Sequence, residues 1–169
     1  MERIYLITDK SYIYKITIIA LVLFIPLNVF SDDFKSCNSL IDNDGDNVPE
    51  NIPYSHTDFS YCNLIGISLN ERDLINADFE GANLSGAYLY GSNLQNANFD
   101  NAILYGANLK STNLENASFK NAILNGLSFR DANLQNADFN NAKLKNVDLY
   151  KAGLTNADFT SADLTEANL

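Results

Sequence analysis

The residues best suited to hold a metal ion lie in one short acidic stretch near the start of the chain. Asp42, Asp44 and Asp46 alternate around a glycine, and Glu50 follows shortly after. Calcium takes six to eight oxygen ligands in proteins, and these carboxylates together with the Val48 carbonyl supply several of them. The stretch therefore predicts a calcium loop, and a solvated acidic turn is the alternative interpretation.

The same stretch resembles the acidic calcium loops of thrombospondin type 3 and related bacterial repeats. The resemblance covers a single loop and implies that the four carboxylates are the ligands. The EF-hand pattern fits less well, because Asn47 stands where a glycine is expected and Pro53 where a bidentate glutamate would fall.

Two cysteines, Cys37 and Cys62, lie on either side of the acidic stretch. An even number of cysteines in an exported chain favours a disulfide, and closing a loop of this length stabilises the fold by about 3 kcal/mol in the chain-entropy model. We expect a Cys37–Cys62 bridge that ties residues 37–56 over the first repeats, where Arg72 meets one of their carboxylates. Two free buried thiols are the alternative.

Catalytic chemistry finds little support in the residue types. His56 is the one histidine, and the sequence has no nucleophile motif, glycine-rich phosphate loop or His/Cys cluster with metal-ligand spacing. The Asp and Asn residues that recur before each Leu or Phe of the repeat described next are explained better as hydrogen-bonding parts of the structure. We therefore predict that the protein is not an enzyme.

A strict period of five residues organises most of the chain. Every fifth residue from Phe59 to Leu169 is Leu or Phe, and the residue two positions earlier is usually Ala. Helices and strands repeat at about 3.6 and 2 residues, so neither explains this period. A short fixed period is typical of a solenoid, which stacks similar units into one continuous core.

The units read Ala-Asn-Leu-Ser-Gly at 82–86 and Ala-Asp-Phe-Asn-Asn at 137–141. They resemble the repeat of the pentapeptide-repeat family, which has a small residue, Asn or Asp, Leu or Phe, and then two polar residues. The resemblance covers about two thirds of the chain. It implies an all-β fold, a right-handed quadrilateral β-helix with four units per coil and with the Leu/Phe and Ala positions pointing inward.

A spacing of twenty residues supports four units per coil independently of the family. Phenylalanines at this spacing predict a stacked column on one wall, although duplication of a twenty-residue unit would leave the same pattern. The residue two positions after each Leu or Phe is mostly Gly or Asn, which tolerate the positive φ of tight turns. The phenylalanines of the column are Phe59, Phe79, Phe99, Phe119, Phe139 and Phe159, and within the repeat Phe129 alone falls outside it.

The chain divides into three predicted parts. Residues 1–31 have basic residues before an apolar run at 16–30, which predicts a hydrophobic helix acting as an export signal or as a retained membrane anchor. Residues 32–56 form a polar connector and cap, and residues 57–169 form the solenoid. We therefore expect a periplasmic or secreted protein, or one anchored through residues 16–30.

One outward column of the solenoid has the composition of a binding surface. Tyr90, Lys110, Arg130 and Tyr150 follow at intervals of twenty, with Tyr88 beside them. Exposed tyrosines favour interfaces, and a cation over an aromatic ring contributes about 0.5–1 kcal/mol at exposed sites. The alternative is an ordinary solvent-facing wall.

The net charge of −10 disfavours direct binding of nucleic acid. The solenoid carries thirteen acidic and seven basic residues, a net charge of −6, which we expect to be mixed along its walls. The preferred function is an exported protein-interaction or structural module whose protein partner is unknown, and a spacer with no ligand belongs to the same class. The family resemblance implies an alternative, an acidic DNA mimic that protects DNA gyrase. The apolar unit at Leu169 predicts an end-to-end homodimer or a fragment of a longer solenoid.

Overall fold

The computed structural model describes Cys37 and residues 57–169. The predicted helix at 1–31 and the rest of the connector at 32–56 lie outside these residues. Within 57–169 the chain forms neither a helix nor a long strand, and it advances by short extended pieces joined by tight turns.

Parallel bridges join each coil to the next at a register of twenty residues. The first pair is Asp58 with Asp78, and the last is Asp148 with Asn168. One residue in every five takes part, so four bridged positions make one coil with four walls. The predicted four units per coil are confirmed.

We name the walls by the five-residue units that form them. Wall 1 begins with residues 57–61, wall 2 with 62–66, wall 3 with 67–71 and wall 4 with 72–76, and each wall continues at intervals of twenty. Coils 1 to 5 comprise 57–76, 77–96, 97–116, 117–136 and 137–156, and residues 157–169 begin a further coil.

The corners between walls are tight turns whose second central residue has a positive φ. Gly66, Gly86 and Gly126 have φ of 68°, 66° and 70°, and Asn residues at equivalent corners lie near 57–61°. In most turns the residue that follows the positive-φ residue donates its N–H to the carbonyl three residues earlier, as from Ala82 to the Phe79 carbonyl at 3.0 Å. This geometry is that of a type II turn, which favours Gly or Asn at this position.

The interior is a column of stacked side chains. The wall 1 phenylalanines lie 4.8–4.9 Å apart between ring centroids, with interplanar angles of 1–4°, which confirms the predicted stack. Phe129, on wall 3, meets Phe119 and Phe139 edge-on at 5.7 and 5.8 Å. Walls 1 and 3 therefore face each other across the core.

Buried hydroxyls replace alanine at two inward positions of wall 4. Ser92 donates to the Leu69 carbonyl at 2.5 Å, and Thr112 donates to the Leu109 carbonyl at 2.7 Å. Ser92 Oγ also accepts a hydrogen bond from the Arg72 N–H at 3.4 Å. Both polar groups are thereby satisfied inside an apolar core. Arg72 itself is half-buried, and its predicted carboxylate partner lies outside the described residues.

In addition to the backbone bridges, asparagine side chains form a ladder of hydrogen bonds along the corner between walls 4 and 1. Each amide donates to the oxygen of the asparagine one coil earlier, at 3.0–3.2 Å. The ladder adds hydrogen bonds in the direction of the rod axis, parallel to those of the backbone. Its members are Asn76, Asn96, Asn116, Asn136 and Asn156.

The Asp and Asn residues before each Leu or Phe have a local structural role. Asp78 Oδ1 accepts the Glu80 N–H at 3.0 Å and the Asn98 amide at 3.0 Å, and Asp158 Oδ1 accepts the Thr160 N–H at 2.8 Å. These bonds to the backbone two residues on hold the turn. They account for the recurrence of these side chains without catalysis.

A disulfide joins Cys37 to Cys62, with the Cα atoms 5.7 Å apart. Both cysteines are buried and belong to the same apolar core as Phe59 and Leu64 of the first coil. The bridge therefore attaches a residue that precedes the solenoid to the inward side of wall 2.

Candidate binding walls

All five residues of the predicted binding surface lie on wall 3. Tyr88 occupies an outward bridged position, and Tyr90, Lys110, Arg130 and Tyr150 follow one another along the corner toward wall 4. The side chains of Tyr88, Tyr90 and Tyr150 are 53%, 44% and 40% exposed. The bridge register thus brings the predicted residues together on one face of the rod.

The far end of this surface is held together by its own charges. The Arg130 guanidinium lies 4.5 Å from the centroid of the Tyr150 ring, and its Nη1 is 3.3 Å from Asp148 Oδ2. Lys151 Nζ lies 5.2 Å from the same ring. Arg130 and Tyr150 therefore already satisfy each other, in the kind of cation–π contact that the column spacing indicated.

Asp148 anchors this cluster. Partial burial alone would raise the pKa of Asp148, but hydrogen bonds from the Tyr150 N–H, the Asn168 amide and Arg130 outweigh it and lower the pKa. The hydrogen bond from the Tyr150 N–H measures 3.1 Å, and the one from the Asn168 amide measures 2.9 Å. Asp148 is therefore a charged acceptor fixed by three donors.

The near end of wall 3 is more open. The rings of Tyr88 and Tyr90 have no cation over them among residues 57–169, and Lys110 has no ion-pair partner there. The backbone of Tyr90 is fixed by the Asn70 side chain, whose Oδ1 accepts the Tyr90 N–H at 2.9 Å. Tyr88 and Tyr90 thus present aromatic surface from a rigid backbone.

Sequence reasoning missed apolar residues on the neighbouring wall 2. Ile103 and Ile123 are bridged to each other at outward positions and are partly exposed, and Tyr105 lies at the corner toward wall 3. Polar residues occupy most equivalent positions, so an Ile at such a position was the available signal. These side chains add apolar surface to the wall next to wall 3.

Wall 1 differs sharply in charge, and the expectation that charges are mixed along the walls is wrong there. With Lys120 as its one basic residue, wall 1 has a net charge of −5, whereas wall 3 has three acids and three bases. The net charge of the whole solenoid, −6, does not reveal this difference because it sums the charges of all four walls. The wall 1 acids are Asp58, Asp78, Glu80, Asp100, Asp138 and Asp158.

Two contacts organise the outer side of wall 1. Lys120 Nζ lies 3.1 Å from Asp138 Oδ2, and this hydrogen bond and charge raise the pKa of Lys120. Tyr61 donates its hydroxyl to Glu80 at 3.2 Å, which raises the pKa of the tyrosine. The Tyr61 ring lies over Gly81, and ring carbon Cε1 is 2.6 Å from the point where a Cβ at Gly81 would be. The Tyr61 ring therefore favours glycine at this corner more strongly than the turn alone does.

The remaining predicted sites are not covered by the described residues. The calcium ligands Asp42, Asp44, Asp46 and Glu50 lie outside them, as does the apolar run at 16–30. Among Cys37 and residues 57–169, no group of His, Cys, Asp or Glu side chains is arranged to hold a metal ion. The same residues include no helix long and apolar enough to cross a membrane.

Comparison with known proteins points to one family. Residues 92–169 match the family described as "Pentapeptide repeat region", and residues 55–89 match "Pentapeptide repeats (8 copies)". No curated protein sequence matches the chain.

Similar solved structures are also pentapeptide-repeat proteins. The protein Rfr23 from the cyanobacterium Cyanothece 51142 is 38% identical with a TM-score of 0.53, over 54% of this chain and 63% of that one. HetL from Nostoc sp. strain PCC 7120, involved in heterocyst differentiation regulation, is 26% identical with a TM-score of 0.38, over 68% and 62%. QnrB1, a plasmid-mediated fluoroquinolone resistance protein, is 26% identical with a TM-score of 0.38, over 56% and 59%.

The aligned parts span about three fifths of each of these three proteins. The likeness to Rfr23 agrees with the right-handed quadrilateral β-helix expected from the repeat. Together with the register of twenty and the two matched regions, it establishes that this chain belongs to the pentapeptide-repeat family.

Proposed function

We propose that this protein is an exported, non-enzymatic solenoid that binds a protein partner through wall 3. The observation that carries the proposal is the placement of Tyr88 and Tyr90, which are exposed on a wall whose backbone is fixed by hydrogen bonds to both neighbouring coils. Tyrosine supplies a large contact area at low conformational cost, so a rigid wall that presents it is suited to recognition.

Export is supported by the disulfide. Structural disulfides persist in oxidising compartments and are rare in the cytosol, and Cys37–Cys62 is buried within the core of the first coil. Fractionation of a tagged full chain, with intact mass measured without reductant, tests this part of the proposal. We expect an exported product two mass units lighter than the reduced form, and a full-length cytosolic product with two alkylated thiols would contradict it.

The binding function is tested with one double substitution and one matched single substitution. The double variant Tyr88→Ser with Tyr90→Ser removes the two exposed rings from the open end of wall 3. Tyr61→Ser removes a tyrosine of similar exposure from another corner. We expect the first change to abolish capture of a specific partner from the envelope fraction and the second to preserve it. Equal capture by all three proteins would contradict binding through wall 3 and favour a structural spacer.

A second candidate function follows from wall 1. Its net charge of −5 along one face of a rod is the feature expected of a DNA mimic that occupies a DNA-binding groove, and protection of DNA gyrase is the activity that the family resemblance implies. Supercoiling by purified gyrase with a quinolone, with and without this protein, tests it. Protection that is lost in Asp78→Asn with Glu80→Gln would support this function, and no protection would remove it.

A second copy of this chain is a further proposed partner, in an end-to-end homodimer. Leu154, Phe159 and Leu164 point inward but are only partly buried, and apolar surface of this kind favours coverage by protein. Light scattering of the full chain over a range of concentrations tests the dimer. A monodisperse monomer at high concentration would contradict it.

A further inference from the structure

Two positions on wall 3, three coils apart, have related surroundings. Arg130 and Tyr150 occupy the corner in successive coils, and sixty residues earlier the same two positions hold Asn70 and Tyr90. In the first case the guanidinium lies between an aromatic ring, at 4.5 Å from its centroid, and the Asp148 carboxylate, at 3.3 Å. The chain thus shows how this wall holds a guanidinium group.

Among residues 57–169, the earlier position has the ring and a carboxylate but no cation over the ring. The Glu71 N–H donates to the Tyr90 carbonyl at 2.8 Å, and Glu71 Cγ lies 3.4 Å from the point where a Cβ at Gly91 would be. The carboxylate-bearing side chain therefore packs beside the residue that follows Tyr90. Within residues 57–169, Glu71 makes no ion pair, and Asn70 stands where the other position has arginine.

We propose that Tyr88, Tyr90 and Glu71 form a binding site for the guanidinium group of an arginine-bearing polypeptide. The inference rests on the proposed use of wall 3 as a partner surface and adds the chemistry of that partner. Tyr88 occupies the position that Asp148 has beside Arg130 and Tyr150. A second aromatic ring therefore replaces that carboxylate, and Glu71 supplies the negative charge of the site.

Charge complementarity favours this occupant over an acidic or neutral one. The protein has a net charge of −10, which attracts cationic segments over distance, whereas wall 3 itself has balanced charges and Glu71 supplies the local negative charge. A guanidinium group is planar, stacks on aromatic faces and pairs with carboxylates, whereas a lysine ammonium is more strongly hydrated. Lys110 lies one coil beyond Tyr90, and the Gly91 N–H donates to its carbonyl at 3.0 Å. Because like charges repel, Lys110 disfavours a cation on its own side of the Tyr90 ring and favours one on the side of the coil that carries Glu71.

Titration of the full chain, labelled with ¹³C in its tyrosine rings, tests the site by NMR. The probe is a peptide of alternating glycine and arginine with four arginines, and its controls replace arginine by citrulline, which is neutral and similar in shape, or by lysine. We expect the arginine peptide to shift the Tyr88 and Tyr90 ring signals, the lysine peptide to bind more weakly and the citrulline peptide to leave the signals unchanged.

Substitutions locate the bound peptide. Tyr90→Ser or Glu71→Gln should each weaken binding of the arginine peptide about two- to fivefold, which is the range for one exposed cation–π or ion-pair contact. Glu80→Gln on wall 1 and Tyr150→Ser, whose ring already has a guanidinium partner, are the matched controls and should change the affinity less than twofold.

The outcomes separate this inference from the proposed function. Binding that falls only in Glu80→Gln, or that is equal for the lysine peptide, would overturn the guanidinium site and indicate capture by the acidic wall. A partner that depends on Tyr88 and Tyr90 but binds through a segment without arginine would also overturn it while leaving the proposed function intact. Partner binding that survives both serine substitutions would instead overturn the proposed function.

Discussion

Walls 1 and 3 face each other across one core and use the same backbone in opposite ways. Wall 1 places its aromatic rings inside, as a continuous phenylalanine stack, and its charges outside, with a net charge of −5. Wall 3 has leucine at most inward positions and places tyrosines outside, among balanced charges. The comparison shows that inward positions build the same apolar core on both walls, whereas outward residues differ strongly in charge and in aromatic content.

The largest expected difference between the walls lies in the core. Phe99→Ala on wall 1 should lower the free energy of unfolding by about 3–5 kcal/mol, and Leu109→Ala in the same coil by about 2–5 kcal/mol. Both side chains are fully buried, but Phe99 also stacks on rings above and below it at 4.8 Å. Loss of those two contacts, at about 0.5–1.5 kcal/mol each, should make the Phe99 change more costly by about 1–3 kcal/mol.

Chemical denaturation followed by circular dichroism measures both variants. An equal or smaller loss in Phe99→Ala would show that the stack contributes no more than ordinary burial. That result would remove the energetic distinction between the two interiors.

Corner glycines offer a smaller and more specific comparison. Gly81 and Gly91 occupy equivalent corners after walls 1 and 3, with φ of 61° and 67°, so alanine at either costs about 1–2 kcal/mol for its backbone conformation. Gly81→Ala must in addition displace the Tyr61 ring, whereas Gly91→Ala meets only the flexible Glu71 side chain at 3.4 Å. We expect Gly81→Ala to be more destabilising by about 0.5–1.5 kcal/mol, because displacing the ring breaks the hydrogen bond that the Tyr61 hydroxyl donates.

Gly86→Ala is the control for the turn alone, because no atom lies within 4 Å of its new Cβ. Thermal unfolding of the three variants gives the ranking. If Gly81→Ala and Gly86→Ala unfold at the same temperature, the Tyr61 ring has no stabilising role.

Much of this architecture follows from the period of five residues. That period predicted the inward Leu and Phe positions. The phenylalanine spacing and the family resemblance predicted the coil of twenty, and the Gly and Asn residues at the corners predicted the positive φ. The Phe99 stack and the wall that holds Tyr90 follow from the same register. The Cys37–Cys62 pairing rested on cysteine count and position, and the structure contains that bridge.

The contacts on the outer walls were less predictable. The position of Arg130 between Tyr150 and Asp148 depends on side-chain rotamers, which the repeat does not constrain. The asparagine ladder depends on amide orientation in the same way. The concentration of acids on wall 1 was present in the sequence, but it becomes apparent only when residues are counted by wall. The calcium loop at 42–50 and the export segment remain predictions.

Removing one carboxylate from each wall should have small effects of different sign. Asp148→Asn should destabilise the protein by about 0.5–1 kcal/mol, because its partners are partly solvated. Asp78→Asn keeps an oxygen acceptor and relieves repulsion with the directly bridged Asp58, so it should be neutral or stabilising by a few tenths of a kcal/mol.

The pH dependence of this comparison has a defined direction. The pKa of Asp148 is lowered below 3.8 in the folded protein, so its contribution is fully present above that value and is lost as the pH falls through the lower folded pKa. The stability difference between the wild type and Asp148→Asn should therefore shrink in acid below pH 3.8. Urea denaturation at pH 7 and at pH 3 measures it, and a difference that grows in acid would contradict the role of Asp148 as a charged acceptor.

The most direct test of the account compares the two outer walls in one binding measurement. Affinity for the captured partner is measured by calorimetry for Tyr88→Ser with Tyr90→Ser on wall 3 and for Asp78→Asn with Glu80→Gln on wall 1. We expect the first pair to lose binding and the second to retain it. Loss of binding through the wall 1 pair alone would contradict the claim that the tyrosine wall is the partner surface.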